Sequence, residues 1–80
     1  MNMSTEQIQK FVREELVPMV KVSNRSAFRT VCEDFEALEI ALASGNNTLV
    51  FAMANYISQC DGLINACDIA QRITAKLFEC

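Results

Sequence analysis

Apolar residues recur at helical spacing along nearly the whole chain, and no stretch alternates apolar with polar for more than a few positions. That pattern predicts an all-α fold. Ile8, Phe11, Val12, Leu16, Met19 and Val20 form a first apolar stripe. Ser4 precedes it as a capping residue, and Gln7 stands three places on, where its side chain reaches back to the Ser4 amide. Pro18 interrupts the stripe, because proline brings no N–H and its ring crowds the carbonyl one turn back. The stripe keeps its phase through Val20, so a bend or a restart at Pro18 is expected.

Ser23-Asn24-Arg25-Ser26 reads as a turn and cap cluster. The helix that follows runs to about Ser44, with Phe28, Val31, Phe35, Leu38 and Leu42 at alternating steps of three and four. Arg29, Glu33 and Glu36 give it a solvated outer face, on which Ile40 is the odd member. Gly45 suits the left-handed position that closes a helix. Asn46, Asn47 or Thr48 then caps the next one.

Helical phasing continues over about 47–79, with Asp61-Gly62 as a possible joint. The region reads either as one long helix or as two helices broken at Gly62, with a bend as the compromise. After Gly62 the apolar residues cover roughly 240° of the circumference. An ordinary surface helix needs a stripe little wider than about 100°. The expected architecture is therefore a single domain over 1–80, a small bundle of three to four helices with a long or bent C-terminal helical region.

Composition turns this pattern into an expectation about partners. From Ile40 to Cys60 no Asp, Glu, Lys or Arg occurs, and 51% of the 80 residues are apolar. A domain this small buries only about 60% of the surface its unfolded chain exposes. A second molecule is expected to cover the remainder, with a C2 homodimer as the simplest arrangement. The residues expected at a partner or dimer interface are Ile40, Phe51, Ala54, Ile64, Ile69, Ile73, Leu77 and Phe78. Ile40, Phe51 and Ala54 are expected to form one patch near the Gly45 turn. Lys21, Arg25 and Arg29 form a basic cluster that either pairs with Glu33, Glu14 and Glu15 or recognises an acidic partner.

Candidate chemistry is sparse. The chain has no histidine, which removes the commonest general base and the usual partner of a nucleophile. No catalytic residues are expected. Cys32, Cys60, Cys67 and Cys80 include no C-x-x-C pair and have no histidine beside them, so neither a metal nor another cofactor is expected. The cysteines read as free thiols, Cys60 and Cys67 as small buried hydrophobes and Cys80 as exposed. A net charge of −3 and a Thr48–Gln59 segment without Lys or Arg argue against nucleic-acid binding. No apolar run is long enough to span a membrane, and the polar start does not resemble a signal peptide. A cytoplasmic location is expected. Size and acidity are similar to those of acyl carrier proteins, but Asn24-Arg25-Ser26-Ala27 and Ser44-Gly45 do not match that family's Asp-Ser-Leu attachment motif.

These readings converge on a small non-enzymatic protein that acts by binding another protein. It would be a stoichiometric inhibitor, adaptor or regulator of the sort phages and mobile elements encode. Two rivals are a structural self-assembly module and a carrier of apolar ligands, with Met19, Phe35, Phe51 and Met53 lining a cavity.

Overall fold

The computed structural model describes residues 3–79. The first helix opens on the capping box anticipated from Ser4 and Gln7. Ser4 Oγ accepts the Gln7 N–H at 3.1 Å, and Gln7 Oε1 accepts the Ser4 N–H at 2.8 Å. Helix α1 (Thr5–Lys10) passes into a π-helical stretch, Phe11–Leu16, and then into a closing turn, α2 (Val17–Met19). An α-helical turn restarts at Val17 with Pro18 among its first residues. The turn before it widens, and the Val17 N–H bonds the Val12 carbonyl five residues back. A wider turn is a recognised way to hold a helix together where a regular bond cannot form.

Helix α3 (Arg25–Ser44) begins at Asn24, whose Oδ1 accepts the Ala27 N–H at 2.8 Å, and ends at Gly45 with φ 71°. Asn46 then caps α4 (Asn47–Ser58) by accepting the Leu49 N–H at 3.2 Å. The C-terminal region is two helices, since α5 (Ala66–Glu79) begins well after α4 ends. Gly62, with φ 86°, lies inside a connection considerably wider than the joint expected at Asp61-Gly62.

Long-range bonds hold that connection. The Ser23 N–H donates to the Gly62 carbonyl at 3.0 Å, and the Ile64 N–H to the Lys21 carbonyl at 2.8 Å. Asn65 Oδ1 accepts the Lys21 N–H at 3.0 Å, while Asn65 Nδ2 donates to the Met19 carbonyl at 2.7 Å. Val22 and Leu63 form an isolated antiparallel bridge between the two segments. The Gly62 carbonyl and the Ile64 N–H of this connection thus find partners across the molecule, as a loop that is not fully solvated requires.

The four helical rods run up, down, up and down. The first packs on α3, α3 on α4 and α4 on α5. Arg72 and Lys76 of α5 close the circle by standing over the Phe11 ring, 5.5 and 5.3 Å from its centre. Phe11, Leu16, Val31, Leu38, Ile57, Ile69 and Ile73 fill the interior. The wide apolar arc of α5 is thus covered on its inner side by the chain itself. No helix among the described residues is long and apolar enough to cross a membrane.

Candidate functional site

Of the residues expected at an interface, the fold keeps four for itself. Ile69, Ile73 and Leu77 of α5 and Ala54 of α4 are buried within the single chain. Ile69, Ile73 and Leu77 lie on the side of α5 turned toward the core and offer no surface to a partner, whereas Ala54, though buried, still lines a groove. Ile40, Phe51, Ile64 and Phe78 remain exposed, with Phe78 81% accessible.

The expected patch of Ile40, Phe51 and Ala54 does not form. Ile40 lines a groove with Thr5, Ile8, Gln9, Glu36, Glu39 and Ala43. Phe51 and Ala54 line a different groove, between α4 and α5, together with Asn55, Ser58, Ala70, Gln71, Thr74, Ala75 and Phe78. The helical turn at Gly45 sends α4 away from the face that carries Ile40.

The α4/α5 groove is an extended surface built from two helices. Its volume is about 450 Å³ and none of its lining residues is charged. The two helices are antiparallel, so the Phe51 and Phe78 rings gather at one end while Ser58, Ala70 and Gln71 form the other. The charge-free run was visible in the sequence. The small residues that α5 contributes, Ala70, Thr74 and Ala75, were not recognised because only their pairing with α4 makes them a floor.

A second concavity, about 550 Å³, lies where α3 meets the end of α4. Asn24, Ser26, Ala27, Thr30 and Asp34 form one wall and Tyr56, Gln59, Cys60 and Asp61 the other. Asp34 Oδ2 is buried without a hydrogen-bond partner. Burial, reinforced by the nearby Glu33, raises the Asp34 carboxyl above the ordinary aspartate range. Burial and then the carboxylates of Asp34 and Asp61 push the Cys60 thiol upward. No sequence signal marked this cleft, since its walls come from segments far apart along the chain.

The basic cluster does not pair as expected. Glu15 is engaged by Arg72 and, at 3.9 Å, by Lys76. Lys21, Arg25 and Arg29 form no ion pair among the described residues. Arg25 and Arg29 line a shallow groove with Val22 and the half-exposed Phe28. Cys67 is exposed, against the expectation of burial, while Cys32 and Cys60 are half-buried free thiols. Cys80 lies outside the described residues. Among those described, no group of side chains is arranged to hold a metal ion. Of the residues suggested for a carrier cavity, Phe35 belongs to the core, Met19 and Met53 pack against it, and Phe51 lies in the surface groove.

No protein-family model, curated protein or solved structure matches this chain.

Proposed function

We propose that this chain is a non-enzymatic binding protein, a stoichiometric inhibitor, adaptor or regulator that works as a homodimer. The α4/α5 groove is the face where two copies meet. One observation carries the reading: Phe78 is 81% exposed at the end of a groove with no charged lining residue. Contiguous exposed apolar surface of this kind marks a binding face.

The second copy is favoured as occupant by charge and by shape. Each chain carries a net charge of −3, so two copies approach at least cost where neither presents a charge. Helix α4 has no charged residue along its length. A two-fold axis through the groove would lay the Phe51 and Phe78 rings of one copy over the small Ser58 and Ala70 end of the other. Such a face is self-complementary, as an isologous interface requires.

Sedimentation equilibrium over a range of concentrations tests this directly. The native chain should show a monomer–dimer equilibrium, and Phe78→Glu should shift it to monomer with an unchanged circular dichroism spectrum. A native chain that stays monomeric at the highest concentration, or a dimer indifferent to the substitution, defeats the reading.

A further inference from the structure

The cleft between α3 and the end of α4 leaves two carboxylates without a partner. Three of its side-chain donors are spent on the chain itself, while Ser26, Tyr56 and Gln59 donate to no described residue. Asn24 Nδ2 donates to Ser23 Oγ at 3.3 Å, Thr30 Oγ1 to the Ser26 carbonyl at 3.0 Å, and Cys60 Sγ to the Asp61 carbonyl at 3.7 Å. Two carboxylates, Asp34 and Asp61, stand on its opposite walls. Neither receives a side-chain hydrogen bond or an ion pair from any described residue, and no Lys or Arg lines the cleft.

Buried polar atoms without a partner are rare in folded proteins, and each one calls for a reason. Asp34 Oδ2 is such an atom. Burial, and then the neighbouring Glu33 charge, push the Asp34 carboxyl upward. The Gln59 amide and the Tyr56 hydroxyl add further groups able to accept a proton donor, and Tyr56 also supplies an aromatic face, 61% exposed, at the rim. A concavity of about 550 Å³ falls within the range of small-molecule and side-chain pockets. Two carboxylates beside an aromatic face are suited to a group that is flat or compact, positively charged and rich in N–H.

We infer that the Asp34–Asp61 cleft takes the lysine or arginine side chain of a protein partner, stacked against Tyr56 and bonded to the two carboxylates. The inference rests on the reading of the chain as a binding protein and adds the chemistry by which it selects a partner. It is independent of the dimer face, because the two concavities share no lining residue.

The test is a nuclear magnetic resonance titration with blocked Gly-Arg-Gly, its neutral Gly-citrulline-Gly counterpart, and spermidine, run on the native chain and on Phe78→Glu. The arginine peptide should give saturable shifts confined to residues around Asp34, Tyr56, Gln59 and Asp61, and the citrulline peptide none. Asp34→Asn should weaken binding about tenfold, the scale of one lost charge-assisted bond. Asp61→Asn, at an exposed position, gives the same reading should Asp34→Asn disturb the fold. Binding that persists in Phe78→Glu separates this cleft from the fate of the dimer. The inference is overturned by an absence of saturable shifts, by equal shifts with citrulline, or by affinity unchanged in both aspartate variants. Tighter binding of spermidine than of the peptide would assign the cleft to a free polyamine and overturn it as well.

Discussion

Arg72 of α5 directs Nε, at 3.1 Å, and Nη2 onto the same Oε1 of Glu15 in the first helix, and holds Glu79 through Nη1. Its guanidinium lies 5.5 Å from the centre of the Phe11 ring. Together with Lys76, this side chain fastens the last helix to the first, a pairing that sequence spacing alone could not indicate.

Arg72→Ala should destabilise the protein by about 1–2 kcal/mol, measured by urea unfolding. The figure is modest because these charges are partly solvated and screened. Arg72→Lys should recover little of the loss, since a point charge cannot reproduce the planar fork that serves two carboxylates.

Core and surface isoleucines should separate cleanly in the same assay. Ile69 is fully buried and Ile40 is 71% exposed. Ile69→Ala should cost about 2–5 kcal/mol, a typical loss for a buried aliphatic truncated to alanine. Ile40→Ala should fall within about 0.5 kcal/mol of the native chain. A large loss at Ile40 would show that its side chain is covered after all.

Gly62 is held in place by its neighbours as well as by its backbone. A Cβ built there would stand 2.8 Å from Ala27 Cβ, and φ is +86°. Gly62→Ala should therefore cost at least about 1–2 kcal/mol for the left-handed conformation alone. Combining it with Ala27→Gly should give less than the sum of the single losses, because the second change removes the obstructing methyl. Thermal melts of the four variants measure that coupling.

Two carboxyl groups should give stability an opposite dependence on pH. The Arg72 hydrogen bond holds Glu79 below its ordinary range. Its contribution is present above the unfolded value and lost as pH falls through the folded one. Asp34 is raised by burial and then by Glu33. Stability linked to its proton is present below the unfolded value and lost as pH rises through the folded one. Asp34→Asn should accordingly melt higher than the native chain at neutral pH. That advantage should vanish in acid, below the ordinary carboxylate range, and an advantage that persists there would mean the charge is not its origin.

Local chemistry was the legible part of the fold. The caps at Ser4, Asn24 and Asn46 and the left-handed close at Gly45 are decided by a few neighbouring residues, and each appears where those residues place it. The stretch Gln59–Asn65 was not legible, because its order comes from Met19, Lys21 and Ser23 rather than from turn residues of its own. The π-helical turn before Pro18 was hidden for a related reason, since a proline announces a lost bond but not how the chain absorbs it. At the candidate surface, the exposure of Ile40 followed from its polar neighbours on α3. Ile69, Ile73 and Leu77 were misassigned because an apolar arc does not show which part a first helix, distant in sequence, will cover. The Asp34 cleft needs two walls to exist at all, and periodicity describes one wall at a time.

The bonds joining Met19–Ser23 to Gly62–Asn65 sit at the pole of the bundle opposite Gly45. They act as a clasp between the amino-terminal and carboxy-terminal hairpins, which already share a core and whose only covalent join among the described residues is the crossing at Gly45. Severing the backbone at that crossing should therefore leave two peptides that reassemble unaided.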